Sequence, residues 1–165
     1  MRRLVPLLTV FLLLGGAGKA ELPHHKPGLW AVTSRSSDGS VFQSKVCLDA
    51  MTETAYNVYN LTANAQHCST SDVTQNGAET VVDGVCELSD STVTSHSVIT
   101  GTPDTAYHIE STAHWAPPML GKTDTRSSQD AKWVGACPAD MKAGDIDMPG
   151  VMKTSLGALA VGAQR

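Results

Sequence analysis

Aromatic residues are scarce in this chain: Trp, Tyr and Phe together make up 5% of its 165 residues. Aliphatic and small side chains must therefore fill most of any core. Long apolar runs are missing as well. The longest, Leu4–Leu14, is about half the ~20 residues that a spanning helix needs, and it contains Pro6. The common catalytic signatures are also absent. The chain has no Gly-x-Ser-x-Gly elbow, no His-Glu-x-x-His pair, no phosphate-cradling Gly-x-x-x-x-Gly-Lys and no Gly-x-Gly-x-x-Gly. Those absences argue against the familiar hydrolase, zincin and nucleotide-binding classes, and a non-enzymatic protein without a cofactor is the expectation.

What is present begins with a leader. Arg2 and Arg3 precede the apolar run, and small residues follow it, ending in Gly18-Lys19-Ala20. A basic start, a short apolar stretch and a small-x-small site compose a secretory signal peptide over residues 1–20. Export to a periplasm or the exterior is expected, with a mature chain that starts at Glu21 and has no membrane span. No cysteine follows the cleavage point, so no lipid anchor is suggested. Losing Arg2, Arg3 and Lys19 leaves 9 basic residues against 16 acidic, a net charge of −7. Such a surface repels phosphate backbones, which excludes nucleic acid as a partner.

All four cysteines, Cys47, Cys68, Cys86 and Cys137, lie beyond the leader. An even number in an exported chain reads as two disulfides. A four-thiolate zinc site would want close Cys-x-x-Cys pairs, and here the spacings are 21, 18 and 51 residues.

From Gly28 to Cys137 the chain consists of short runs rich in Val, Thr, Ser and aromatics, punctuated by turn signals, which is strand chemistry. Asp38-Gly39 and Asn76-Gly77 each suit a two-residue hairpin turn, and Gly101-Thr102-Pro103-Asp104 a third. The expected architecture is an all-β single antiparallel meander of about seven strands, strongly curved or closing into a small barrel to protect its edges. Tyr107, Ile109, Ala113 and Trp115 alternate with His108, Glu110, Thr112 and His114, so that strand should have one packed and one wet face. Asp49 caps an expected short helix reaching Tyr59. The domain is expected to span residues 21–150, with a flexible tail over 151–165.

Turn register bears on the disulfides. A two-residue turn at Asn76-Gly77 sets Cys68 against Val85 and Cys86 against His67, on opposite faces, so Cys68–Cys86 would need a bulge. The expected pairing is therefore Cys47–Cys68 with Cys86–Cys137, which closes shorter loops than the remaining alternative. The same reasoning at Asp38-Gly39 sets Trp30 directly across from Cys47.

Six histidines are the main chemical resource. His24 and His25 lie in the Pro-flanked start of the mature chain and are read as solvated. His108 and Glu110 stand two apart on the wet face of one strand, with His96 on the neighbouring strand. These three are the candidate metal ligands, although a polar outer face is the default reading and no metal is assigned. His114 lies too far along its strand to join them.

Several of these pieces form a pattern. Pro27-Gly28-Leu29-Trp30 opens the domain, Val46-Cys47-Leu48 closes its first hairpin, and Cys68 and Cys86 follow. Cys137-Pro138, Met141, Gly144-Asp145 and Met148-Pro149-Gly150 complete it. Over about Pro27 to Gly150 the chain resembles the bacterial family catalogued as domain of unknown function 3617. The resemblance implies an exported, periplasmic protein with no assigned activity and no functional residues to carry over. Three functions are weighed, in this order: a binding module for an apolar ligand or envelope component, an assembly factor contacting another envelope protein through Ala116-Pro117-Pro118-Met119-Leu120, and a metal-binding or hydrolytic enzyme using His108 and Glu110.

Overall fold

A computed structural model describes residues 21–61, 68–88 and 90–158. The leader expected over 1–20 and the last residues of the expected tail lie outside the described residues. The chain forms strands β1 (Gly28–Ser36) and β2 (Val41–Leu48), helix α1 (Glu53–Leu61), then β3 (Cys68–Asn76), β4 (Glu79–Leu88), β5 (Ser91–Thr102), β6 (Ala106–Met119) and β7 (Lys122–Gly135). Two short strands follow, β8 (Asp145–Met148) and β9 (Met152–Ser155).

The strands make one antiparallel sheet in the order β3-β4-β5-β6-β7-β1-β2-β8-β9. The fold is all-β and antiparallel, as expected, but among the described residues the sheet has nine strands and does not close into a barrel. The physical reason is that its apolar face is covered from outside the sheet. Tyr56 of α1 and Leu156 beyond β9 join Trp30, Val32, Val46, Tyr107, Ile109, Ala131 and Ile146 in one buried cluster. With those covers in place, the face is buried without the edges having to meet. The edges are protected in other ways: β3 is polar apart from Cys68 and Val73, and β9 has only four residues.

β8 and β9 escaped the sequence reading because each is shorter than the window over which alternation can be recognised. Their hairpin turns at Met148-Pro149-Gly150-Val151, where the Val151 N–H donates to Met148 O at 3.0 Å. β9 thus lies in the stretch expected as a tail, and Leu156 just past it is buried.

Both hairpin registers differ from expectation by a small slip with large effects. The first loop spans Ser37-Asp38-Gly39, with Ser36 N–H donating to Ser40 O at 3.0 Å. Trp30 consequently pairs with Val46, and Leu29 takes the place opposite Cys47. Trp30 and the cysteine therefore stand on opposite faces. The second turn is Gly77-Ala78, with Gly77 at φ 63° in the first central position, a conformation glycine adopts without a Cβ penalty.

The disulfides follow from that register. They are Cys47–Cys137 and Cys68–Cys86, not the expected pairs. A bulge between Cys68 and Thr70 brings Cys68 directly across from Cys86, with Cα atoms 3.8 Å apart. This bond staples the edge strand β3 to β4. The other bond ties the chain after β7 to the end of β2. There the Gly144 N–H also donates to Cys47 O at 2.7 Å.

Asp49 caps α1 as expected. Its Oδ1 accepts from the Thr52 N–H at 2.8 Å, while the Thr52 hydroxyl accepts from the Asp49 N–H at 3.0 Å. Those hydrogen bonds hold the Asp49 carboxyl below its usual range.

The two bonds should not matter equally. They close loops of 90 and 18 residues, worth about 4.6 and 3.2 kcal/mol in the chain-entropy account. Replacing Cys47 and Cys137 by Ser should lower Tm by roughly 10–15 °C, and replacing Cys68 and Cys86 by less. Calorimetry of the two variants checks the order; equal or reversed losses would contradict it.

Candidate functional site

The site lies where the segment before β1 crosses the apolar face of the sheet. That segment is tied down along its length. The indole N–H of Trp30 donates to Lys26 O at 2.9 Å, and that of Trp133 donates to Pro27 O at 3.1 Å. Lys26 N–H reaches Pro103 O at 3.3 Å, and its ammonium sits 3.7 Å over the Trp133 ring. Gly28 makes this crossing possible. A Cβ there would lie 2.3 Å from Gly135 O and 2.6 Å from Trp133 Nε1, and its φ is 134°. The Pro27-Gly28-Leu29-Trp30 motif is thus a structural clamp.

Upstream of the clamp, His25 is buried, contrary to its reading as solvated. Its side chain is 9% exposed, and its ring meets Trp30, Tyr56 and Tyr107 edge-on at centroid distances of 5.4, 5.5 and 5.0 Å. Clamping the backbone at Lys26 and Pro27 carries the histidine beneath α1. No motif marks this; the only sequence signal is its position just before the clamp. Glu53 of α1, itself buried, accepts from the His25 backbone N–H, and its Oε2 lies 3.1 Å from His24 Nδ1. His25 Nδ1 stands 3.4 Å from Glu53 Oε1 yet makes no hydrogen bond. Burial lowers the His25 pKa, and the nearby Glu53 carboxylate only partly opposes this. The Tyr107 hydroxyl pairs with that of Tyr56 at 3.2 Å, and burial pushes the Tyr107 phenol far up, so it stays protonated.

Between this segment and the sheet lies a cavity of about 310 Å³. The row Thr80–Ile99–Ile109, contributed by β4, β5 and β6, forms its floor. Leu22, Pro23 and His25 wall one side, and Tyr107 adds a phenol. The arrangement offers a mainly apolar space with His25 as its one titratable imidazole.

The candidate metal ligands sit on the other face. His108 and Glu110 are brought together, with Nε2 2.9 Å from Oε1, but the second ring nitrogen of His108 lies 2.7 Å from Asp130 Oδ1. With both nitrogens hydrogen-bonded to carboxylates, the imidazolium is favoured and the His108 pKa is raised, chiefly by Asp130. Asp130 is lowered in turn, by His108 and then by Arg35. His96 does not join them: its Nδ1 is 2.7 Å from Asp83 Oδ1. Among the described residues no set of three or more His, Cys, Asp or Glu side chains is placed to hold a metal ion.

Fold and site together define a disulfide-stapled open antiparallel sheet with a small cavity under its N-terminal strap. The family model described as protein of unknown function, DUF3617, matches residues 25–137, and the chain belongs to that family. No curated protein and no solved structure matches the chain. The match runs from His25 to Cys137, and so begins at the buried histidine and ends at the second cysteine of the long-range disulfide.

Titration of His25 should be visible in stability. Its folded pKa lies below the unfolded value near 6.5, so the unfolded chain takes up a proton first and stability declines as pH falls below that value. His25→Phe removes this linkage. Tm measured between about pH 7 and pH 5 should fall less steeply for the variant than for the parent chain, and parallel curves would refute the linkage.

Proposed function

We propose that the protein is an exported, non-enzymatic binding module of the bacterial envelope that holds a small amphipathic ligand, apolar body inward, beneath its N-terminal strap. The cavity of about 310 Å³ against Ile99 and Ile109 carries this reading. It lies at the lower end of the range for ligand pockets and is about twice the ~150 Å³ cavity that accepts benzene. A single ring or a short branched chain with one polar group suits it, the polar end meeting His25 or Tyr107. Binding is favoured over turnover because the neighbouring polar groups are engaged with one another: both Glu53 oxygens face the strap histidines and Tyr107 shares its hydroxyl with Tyr56, which leaves the His25 imidazole to meet the polar end of a ligand. Two disulfides, with a leader-like start, support an oxidising compartment such as the periplasm. Trp30 touches His25 and Tyr107, so its emission reports on occupancy. Titration with phenols, short branched-chain acids and fatty acids of graded length should change that emission and raise Tm for the members small enough to enter the cavity. Ile99→Phe, which fills the floor, should abolish both responses while leaving the fold intact. A panel without any response would overturn the proposal.

A second reading, contact with another envelope protein, is favoured by one observation. Leu120 is 96% exposed with φ 50° at the tip of the β6–β7 hairpin, just after the Pro117-Pro118 segment. Crosslinking from position 120 in the periplasm should capture one reproducible partner if this reading holds, and none if it fails.

A further inference from the structure

The wet face of the sheet distributes its histidines in two different ways, and the difference has chemical consequences. His108 has a carboxylate at each ring nitrogen and so has no lone pair to offer. His96 and His114 each have a carboxylate at Nδ1 only: Asp83 Oδ1 at 2.7 Å and Asp124 Oδ1 at 2.9 Å. A carboxylate accepts from Nδ1–H, so the lone pair is placed on Nε2, and among the described residues no group meets Nε2 of either histidine. A carboxylate behind the distal nitrogen is the arrangement by which metal-ligating imidazoles are oriented and made more basic.

The two side chains are also neighbours. His114 pairs with Thr94 and His96 with Thr112, which places the histidines diagonally on adjacent strands of the same face. Such diagonal positions are about 7–8 Å apart, within reach of two imidazoles converging on one ion at the usual ~2.0–2.1 Å. Both line one shallow groove of about 650 Å³ on the outer surface. Asp83 and Asp124 bring negative charge to that groove, against Arg126 as its one guanidinium.

We infer that His96 and His114 form a two-histidine site for a borderline divalent transition metal, Cu2+ or Zn2+, with Asp83 and Asp124 as positioning residues. Imidazole selects these ions, and Cu2+ binds more tightly than Zn2+. With two protein ligands the remaining positions are filled by water, so binding is exchangeable and solvent-facing. The site is independent of the cavity, which lies on the opposite face.

Titration of the untagged protein with Cu2+ alone, followed by electron paramagnetic resonance, tests this. The expected result is one ion per chain with two imidazole nitrogens in its coordination. His96→Ala and His114→Ala should each weaken binding by about tenfold or more, and Asp83→Asn and Asp124→Asn by less. His108→Ala should leave it unchanged. Asp83, His96, His114 and Asp124 are exposed and His108 is half-buried, and an unchanged Tm confirms that each variant is folded. Three results overturn the site: no Cu2+ uptake, uptake that survives both His96→Ala and His114→Ala, or uptake lost only with the exposed His24 in a His24→Ala control.

Discussion

The indole of Trp30 is the constraint from which the rest of the molecule is arranged. It is fully buried at the crossing of β1 with its neighbours, paired with Val46 on one side and Trp133 on the other. A buried indole needs a partner for its N–H, and the nearest acceptor is the carbonyl of Lys26, four residues earlier. Meeting that need folds the strap back over the sheet. Gly28 permits the close approach, Trp133 captures the next carbonyl, and His25 is carried under α1. The cavity is the space left between a strap held at this height and a floor of Ile and Thr side chains.

An open sheet has two edges, and covalent chemistry secures the strand at one of them. Cys68–Cys86 binds the polar edge strand to its neighbour, so β3 cannot peel away from β4. Cys47–Cys137 does different work. It fixes the segment that leads to β8 and β9, which extend the sheet past β2 and bring Leu156 onto the core. The terminal motif around Met141 and Gly144-Asp145 belongs to this junction, because Gly144 donates to Cys47 O and accepts from Leu156 N–H. The Pro27-Gly28-Leu29-Trp30 segment and the segment from Cys137 to Gly144 are thus the two anchorages of the fold.

The sheet also sorts its histidines by environment. One imidazole is desolvated on the packed face, where burial disfavours its charge. Those on the wet face stand against carboxylates, and the charged form is favoured at His108, where both ring nitrogens are engaged. A single residue type is therefore pushed in opposite directions, down at His25 and up at His108, by which face and which neighbour the register supplies.

Much of this was legible in the residues alone. Strand alternation around Tyr107 and Ile109, the Asp49 cap, the β class, the family and the presence of two disulfides all depend on local pattern and composition, which a linear chain displays. Which cysteines pair, what Trp30 faces and which histidines become neighbours were decided by tertiary structure. Each depends on strand register, and a slip of one residue at Asp38-Gly39 or one bulge at Ser69 reassigns faces and partners along a whole strand. The burial of His25 is of the same kind. Nothing in the residues around it distinguishes a loose end from a strap until two indoles, more than a hundred positions apart, hold the backbone between them.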